Sequence, residues 1–582
     1  AEDGIRDKLV TGVQTCALPI CMAFAHRPAT LPDETEWYWR LANQVVPRLY
    51  TLKGASRAVP FIEDFAVPPD SLADFCSRLQ NVLKSHETTA TLFGHAGHGQ
   101  LHVRPFLDLS DPADVRKMRA IAEDVYSEVL RVGGTIAGEH GDGLSRTWYA
   151  RRQHGQLYPV FQHLKNIFDP RNLLNPGKVI ADDPQDITSN LRGVANSGLV
   201  QSADAITPTT PPTGTSTASM TSDPAAIATS ITDDTLEAAP TSPGSFTEDR
   251  KDRLQTHLIW QSESLPLVAN SCNGCGQCRT QLPDTRMCPI FRYLPSEEAT
   301  PRAKANLLRG VLAGTMPVAE MREDEFKSVA DLCVNCHQCR LECPANVDIP
   351  KLMVEAKAQY VAANGMNPAD WFVSRIERWA FWASLFSGLS NWALGNRQMR
   401  WVLERITGIA QGRKLPRLAS RNFLRLAHRR RWDRPVRQAK RKVLYFVDVY
   451  ATWFDVQLAE AVVKCLEHNG VAVYVHPEQQ PSGMPRISAG DVERVKPMAR
   501  ANLKILAEAV RQGYEIVTSE PSSALALTRE YPNLLGDDDA TIVSKNTSDV
   551  CEYLLRLHQT GHLELDFTPV KDRKSTRLNS SH

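Results

Sequence analysis

Residues 93–106 read FGHAGHGQLHVRPF, which is two extended segments joined by a glycine-rich turn. The flanking runs, TATLFG before the turn and QLHVRPFL after it, are typical of β-strands. Gly97 and Gly99 argue against a helix, because glycine destabilises helix interiors. The stretch therefore predicts two strands of one sheet, with a turn that bends His95 back toward His102.

Apolar residues recur at helical spacing on both sides of these strands. They are Leu72, Phe75, Leu79, Val82 and Leu83 in one run, and Val115, Met118, Ile121, Val125 and Val129 in the other. AVPFIEDFAV (58–67) is strand-like as well. The order βαββα predicts an α+β layer, with helices on one face of an antiparallel sheet.

Length and composition limit the class of protein. A chain of 582 residues exceeds one hydrophobic core and predicts several domains. A net charge of +1 argues against a dedicated nucleic-acid-binding protein. No run of about 18 or more uncharged apolar residues indicates a transmembrane helix. Eight of the 13 cysteines lie between Cys272 and Cys343, which indicates metal binding in a reducing, cytoplasmic compartment.

Composition changes along the chain predict its segments. Both ends, AEDGIRDKLVTGVQTCALPI and DRKSTRLNSSH, resemble translated sequencing adapters, and we expect native protein only between them. A stretch rich in Thr, Ser, Pro and Ala predicts a disordered linker. The predicted segments are adapter-derived 1–21, α+β 22–182, linker 183–250, all-α 251–365, tryptophan-rich helical and basic 366–442, α/β 443–571, and adapter-derived 572–582.

The strongest chemical signal is CVNCHQCRLECP (333–344), which has the cysteine spacing of bacterial two-cluster ferredoxins. CNGCGQC (272–278), followed by MCP (287–289), repeats the triplet with a longer loop. The fourth cysteine of such a motif ligates the other cluster. We therefore predict one 4Fe-4S cluster on Cys272, Cys275, Cys278 and Cys343, and a second on Cys333, Cys336, Cys339 and Cys288. Two structural zinc sites are the less favoured alternative.

A candidate metal site combines His95 and His102 with Glu139 of GGTIAGEHGDG (133–143). Two imidazoles and one carboxylate with an open position are typical of catalytic metal sites. Adjacent residues in extended backbone face opposite ways, so Glu139 can bind metal while His140 turns to a neighbouring pocket. The spacing alone equally allows loop residues that are satisfied by hydrogen bonds.

These motifs and IFDPRNLLNPGKV (167–179), in this order, resemble the C-terminal half of FAD-linked D-2-hydroxyacid dehydrogenases. These flavoproteins of the vanillyl-alcohol oxidase type include D-lactate, glycolate and D-2-hydroxyglutarate dehydrogenases. The resemblance covers roughly residues 40–182 and implies a ferredoxin-like cap domain with FAD. It further implies a divalent metal, zinc or manganese, on His95, His102 and Glu139, with His140 as the general base.

The same resemblance implies further contacts. Asn175 and Lys178 of the NPGK motif would lie beside the flavin. Arg104 stands where many relatives have asparagine and would bind the substrate carboxylate, together with an upstream arginine, Arg48 or the alternative Arg40. The chain departs from the family pattern at His98 and Gln100, where an aspartate and an asparagine are usual.

The implied reaction is the oxidation of a 2-hydroxy acid to a 2-oxo acid. The metal would lower the pKa of the substrate hydroxyl, His140 would take its proton, and hydride would pass to flavin N5. Electrons would then leave singly through the two clusters to a quinone or a soluble carrier. The alternative is a non-catalytic iron–sulfur electron-transfer protein with relic histidine motifs. No Gly-rich FAD-binding stretch precedes residue 57, so we expect a fragment of the enzyme.

Residues 443–571 resemble the CCG domain of glycolate oxidase and anaerobic glycerol-3-phosphate dehydrogenase iron–sulfur subunits. The resemblance includes YFVDVY, SGMPRISAGD, GYEIVTSEPSSALALTREYP and NTSDVCEYL. The expected cysteines are replaced, with Val449 in place of one, Gln480–Ser482 in place of a Cys-Cys pair, and Ser523 in place of another. We therefore expect a degenerate structural or docking domain without a cluster.

Five of the 11 tryptophans lie between Trp371 and Trp401, and the basic run RLAHRRRWDRPVRQAKRK (425–442) follows them. One interpretation is peripheral contact with an anionic membrane, on its cytoplasmic face and near a quinone. The interpretation we favour from sequence is a buried helical pair with a solvated, charged neighbour.

Overall fold

The structure is a computed structural model that describes residues 29–52, 54–192, 200–201, 254–260, 264–282, 285–436 and 438–566. The predicted adapter-derived ends, and most of the predicted linker, lie outside the described residues. Within these ranges, no helix is both long enough and apolar enough to cross a bilayer.

The first part of the chain is an antiparallel sheet with helices. Its elements are α1 (Pro32–Tyr50), β1 (Arg57–Ala58), β2 (Phe65–Ala66), α2 (Leu72–Ser85), β3 (Ala90–His95), β4 (Gln100–Leu107), α3 (Pro112–Arg131), α4 (Gly143–His154) and α5 (Tyr158–Phe168). Strand β4 is central, because it pairs with β3 on one side and with both β1 and β2 on the other.

The two predicted amphipathic helices are confirmed as α2 and α3. Their apolar residues, among them Phe75 and Ile121, share one buried core with Val103 of β4. The predicted strand over 58–67 is wrong in extent, because only its two ends pair with β4. Asp64 has a φ of +66°, a left-handed conformation that interrupts an extended strand.

Six helices are described in the cysteine-rich part of the chain. They are α6 (Leu265–Asn270), α7 (Pro289–Tyr293), α8 (Pro301–Leu312), α9 (Asp324–Asp331), α10 (Gln338–Glu342) and α11 (Ile349–Asn364). Ser264, Thr300 and Asp348 each accept a backbone N–H at a helix start that also carries a proline. Nearby, β5 (Val200–Gln201) and β6 (Leu254–Gln255) pair in parallel.

Five helices follow, α12 (Pro368–Val373), α13 (Ile376–Leu385), α14 (Ser387–Gly395), α15 (Arg397–Thr407) and α16 (Phe423–Arg430). The favoured interpretation of a buried helical pair is wrong for the tryptophans of α13 to α15. Trp382, Trp392 and Trp401 are 65%, 58% and 52% exposed. A buried ion pair between Arg375 and Asp491, 3.1 Å apart, anchors this segment to the next domain.

The last part is a parallel α/β domain in strand order β10-β9-β7-β8. Its elements are β7 (Lys442–Phe446), α17 (Val449–Trp453), α18 (Val456–His468), β8 (Ala472–Tyr474), α19 (Met484–Ser488), α20 (Lys496–Arg511), β9 (Glu515–Thr518), α21 (Pro521–Leu525), α22 (Tyr531–Leu535), α23 (Asp538–Lys545), β10 (Thr547–Asp549) and α24 (Val550–Gln559). A π-helical turn, Ala526–Glu530, joins α21 to α22. Helix α18 ends two residues before Gly470, which has a φ of +68°.

Candidate functional site

The β3–β4 hairpin brings two histidines to one face of the sheet. Phe93 lies opposite His102, and His95 lies opposite Gln100, so His95 and His102 are diagonal neighbours. Their ring centroids are 5.6 Å apart. Gly99 closes the turn with a φ of +64°, and a Cβ there would overlap the carbonyl oxygen of Val67. The turn thus requires glycine, and His98 lies exposed at its tip.

Glu139 completes a group of three possible metal ligands. Its Oε1 lies 3.8 Å from Nε2 of His95 and 3.9 Å from Nε2 of His102. One ligand atom from each residue lies within 4.8 Å of the others. A cation about 2 Å from each ligand atom fits between groups at this spacing. Nε2 is the nitrogen of His102 that faces Glu139, and among the described residues its buried Nδ1 has no hydrogen-bond partner.

The surroundings of His102 keep its imidazole neutral. Burial lowers the pKa of His102, and the nearby His140 lowers it further. The side chain of His102 is 4% exposed, whereas that of Glu139 is 54% exposed. A neutral imidazole is the form that binds a metal, and the exposed carboxylate leaves one side of the site open to a substrate.

Asp64 organises the loop that carries Glu139 and His140, and sequence reasoning missed it. Its buried carboxylate accepts the backbone N–H groups of Gly138, Glu139 and His140, the last at 2.7 Å. Gln100 Nε2 donates to the same carboxylate at 2.6 Å. Burial alone would raise the pKa of Asp64, but these hydrogen bonds outweigh it and lower the pKa. The loop therefore depends on an ionised, buried aspartate.

Glu63 links His140 to Arg104. Its Oε1 lies 3.5 Å from Nδ1 of His140, and its Oε2 lies 2.6 Å from the guanidinium of Arg104. Arg104 is 7% exposed and also donates to the hydroxyl of Tyr50. The structure thus pairs the guanidinium of Arg104 with Glu63. The predicted contact between Arg104 and a substrate carboxylate stays a prediction.

The other predicted contact residues lie outside this group. Arg48 is in the last turn of α1 and exposed, and no described contact joins it to the histidines. Asn175 has a φ of +47° in an exposed loop after α5, where Lys178 Nζ lies 3.4 Å from its Oδ1. Thr147 fixes this loop by accepting the N–H of Val179 at 2.7 Å.

The eight clustered cysteines line two cavities. One is bordered by Cys272, Cys275, Cys278 and Cys343. The other is bordered by Cys288, Cys333, Cys336 and Cys339, and Cys339 borders both. These groupings are the ones that the crossed-ligand pattern of two-cluster ferredoxins predicts.

The two cysteine triplets share a backbone conformation. Gly274 and Gly276 have φ values of +76° and +78°, and the equivalent Asn335 and His337 have +53° and +58°. Non-glycine residues rarely adopt this conformation. Nε2 of the buried His337 lies 2.9 Å from Oε1 of Glu530, to which Asn335 also donates. The α/β domain thus holds the second triplet in its loop shape.

Charge around the second cavity favours bound thiolates. Burial raises the pKa values of Cys333 and Cys339, so without a bound metal these thiols are neutral. The side chain of Lys304 is buried at the edge of this cavity. Lys357 Nζ donates to the carbonyl of Cys333 at 2.9 Å. Both cations offset the negative charge of thiolate ligands.

In the α/β domain, hydrogen bonds occupy the positions where cysteines were expected. Asp448 accepts the hydroxyl of Ser523 at 2.6 Å and the N–H of Ser482 at 3.1 Å. Burial, and then the charge of Asp448, raise the pKa of Glu520 to about 7. The possible metal-binding groups found in the described ranges lie elsewhere, around His102.

Comparison with known proteins adds a family context. Residues 17–179 match the FAD linked oxidases, C-terminal domain, and residues 271–348 match the 4Fe-4S dicluster domain. The D-2-hydroxyglutarate dehydrogenase of Pseudomonas putida is 25% identical over 544 residues, which is 85% of this chain and 48% of that protein. The Escherichia coli protein of the same name is 24% identical over 548 residues, 86% of this chain and 48% of that protein.

A third relative matches a shorter part of the chain. The glycolate oxidase subunit GlcD of Bacillus subtilis is 30% identical over 139 residues, 23% of this chain and 30% of that protein. The chain spans about half the length of the D-2-hydroxyglutarate dehydrogenases that it matches. The resemblance inferred from the histidine and cysteine motifs is confirmed: the chain carries a C-terminal domain of the FAD-linked oxidases, joined to a 4Fe-4S dicluster domain.

Proposed function

We propose that the chain is the substrate-binding and electron-relay part of a dehydrogenase that oxidises a D-2-hydroxy acid, D-lactate or D-2-hydroxyglutarate, to the 2-oxo acid. The observation that carries this proposal is the convergence of His95, His102 and Glu139 beside His140. The names of the relatives support it, since they include dehydrogenases of both acids. The alternative is an iron–sulfur electron-transfer protein whose histidine motifs are relics.

Each side chain has a defined task in this reaction. His95, His102 and Glu139 bind a divalent cation, zinc or manganese, and leave one side open for the substrate's hydroxyl and carboxylate. Nδ1 of His140 faces Glu63, so Nε2, which lies 3.7 Å from Oε1 of Glu139, takes the hydroxyl proton. Glu63 stabilises the imidazolium that forms.

When bound, FAD accepts the hydride from C2 of the substrate, the cation lowers the hydroxyl pKa, and the iron–sulfur clusters carry single electrons. The chain also has an exposed apolar face, which would contact the flavin-bearing part of such an enzyme. Ile167, Phe168, Leu173 and Leu174, at the end of α5 and in the following loop, are each at least 60% exposed. Asn175 and Lys178 lie directly after this face and would contact the flavin.

The order of the relay follows from the neighbours of each cavity. Arg57 of the α+β part donates to Ser271, and Arg192, which follows that part, donates to the carbonyl of Cys272, beside the first cavity. Glu530 of the α/β domain binds His337, beside the second. Electrons would therefore enter at the Cys272 cavity and leave from the Cys333 cavity, toward a quinone or a soluble carrier. The α/β domain acts as a degenerate CCG-like docking domain without a cluster.

Replacing His140 with alanine tests the catalytic assignment in the full-length open reading frame, with FAD and the clusters loaded. We expect oxidation of D-lactate and D-2-hydroxyglutarate, followed with an artificial electron acceptor, to fall by about 10²–10⁴-fold, because the general base is lost. Metal content should stay unchanged. His98→Ala, at the exposed tip of the same site, is the matched control. If His140→Ala kept full activity, the dehydrogenase assignment would be contradicted. The alternative, an electron-transfer protein with relic histidine motifs, would remain.

We also propose peripheral contact with the inner, cytoplasmic face of the membrane through α13 to α16. Residues 366–442 carry 18 Lys and Arg but only four Asp and Glu. Exposed tryptophans beside such a positive charge are typical of surfaces that bind anionic bilayers.

Sedimentation with vesicles tests this contact. We expect binding to vesicles that contain phosphatidylserine and little binding to pure phosphatidylcholine. Because burying one large apolar side chain contributes about 1.5–3 kcal/mol, the Trp382→Ser/Trp392→Ser variant should bind at least about tenfold more weakly. Trp37→Ser, an exposed tryptophan on α1, should bind like the wild type. Equal binding by the double variant and the wild type would contradict the proposal.

A further inference from the structure

A cavity of about 470 Å³ lies where the α+β part of the chain meets the cysteine-rich part. Its described lining includes three arginines, Arg57 of β1, Arg192 after α5 and Arg309 of α8, and one acidic residue, Asp108. The cavity lies at the far end of β4 from His102, about 17 Å along the strand. It is therefore separate from the candidate metal site.

Two of these arginines have no acidic partner among the described residues. Arg309 is 8% exposed and donates to the carbonyl oxygen of Cys272 at 3.2 Å and to Oδ1 of Asn306. Arg192 is exposed and donates to the carbonyl oxygen of Cys272 at 3.4 Å. Among the described residues Asp108 forms no ion pair with them, and its carboxylate accepts the N–H and hydroxyl of Ser110. A guanidinium whose described hydrogen bonds go to neutral oxygens keeps the capacity to bind an anion.

The backbone makes room for this arrangement. Gly274 of the first cysteine triplet has a φ of +76°, and a Cβ at this position would collide with the guanidinium of Arg192. The lining also includes three leucines, Leu107, Leu109 and Leu191. The cavity thus combines positively charged and apolar groups.

We infer that this cavity binds a small anionic molecule, whose phosphate or carboxylate group pairs with Arg192 and Arg309. Guanidinium groups bind both oxyanions through paired, charge-assisted hydrogen bonds. The apolar part of the molecule contacts the leucines. Because Arg192 lies in the segment that follows the α+β part and Arg309 belongs to the cysteine-rich part, the bound anion links that segment to the cysteine-rich part.

Calorimetry on the full chain with its clusters loaded, under anaerobic conditions, tests this inference. The probes are inorganic phosphate and malonate, which distinguish a phosphate-bearing ligand from a carboxylate-bearing one by their relative affinity. We expect saturable binding of one equivalent of at least one probe. Arg192→Gln should weaken it by about tenfold or more, because a charge-assisted contact is lost.

Two variants make the test specific. Arg119→Gln removes an exposed arginine of the α+β part that pairs with Asp186, and it should leave the affinity unchanged. Arg309→Lys keeps the buried charge but removes the paired donors, and it should weaken binding as Arg192→Gln does. Absence of saturable binding of both probes would overturn the inference. So would equal affinities of Arg192→Gln and the wild type, or equal losses in Arg192→Gln and Arg119→Gln.

Discussion

An Asp64→Asn variant is expected to lose about 3 kcal/mol of unfolding free energy in the α+β part and to bind a divalent cation about 10–100-fold more weakly. The carboxylate of Asp64 accepts three backbone N–H groups and the amide of Gln100, and it is 0% exposed. Asparagine keeps one acceptor oxygen but turns an N–H₂ group toward these donors. The loop that places Glu139 would therefore lose its position relative to His95 and His102.

Urea denaturation and metal analysis after equilibration with zinc or manganese measure the two effects separately. Asp74→Asn, on the exposed face of α2, is the matched control and should change neither quantity. If Asp64→Asn bound metal with the affinity of the wild type, the loop would not depend on this carboxylate. The assignment of Glu139 as a ligand would then lose its structural support.

A Cys339→Ser variant is expected to lose about four iron atoms per chain, which is one whole cluster, because a 4Fe-4S cluster needs four thiolate ligands. Cys339 is 7% exposed in the core between the two cavities and borders both of them. Loss at this position should therefore also destabilise the first cavity. Iron analysis and electron paramagnetic resonance of the reduced protein measure the loss.

Cys465→Ser is the matched control for this experiment. Cys465 lies on the exposed face of α18, outside both cavities, and its replacement should leave the iron content unchanged. Full iron content in Cys339→Ser would contradict the assigned ligands. Zinc in place of iron in the wild type would contradict iron–sulfur binding altogether.

Local patterns predicted much of the fold. The spacing of Phe75 and Leu79, and of Ile121 and Val125, identified α2 and α3 because helical periodicity is a short-range property. The tryptophans of α13 to α15 could not be placed in the same way. An apolar sequence shows that a side chain favours burial, but not whether the chain supplies a surface to cover it.

The residues of the candidate site that lie within a motif could be predicted. The residues that contact the site from a distant position in the sequence could not. His95, His102 and Glu139 are held together by a hairpin and one loop. Glu63 and Asp64 act on residues about 75 positions later, and they occur in a run that looks like an ordinary strand. The left-handed backbone of Asp64, which the sequence pattern does not reveal, interrupts that strand at the position of the two carboxylates.

The contact between Glu530 and His337 makes iron retention depend on the α/β domain, although that domain supplies none of the assigned iron ligands. Glu530 is 1% exposed on a π-helical turn, and its carboxylate meets both left-handed residues of the second triplet. Detachment of that turn, by proteolysis or by local unfolding, would let oxygen and chelators reach the inorganic core before the helices around it melt. The rate at which iron is lost in air would then measure how firmly the α/β domain is bound to the second triplet.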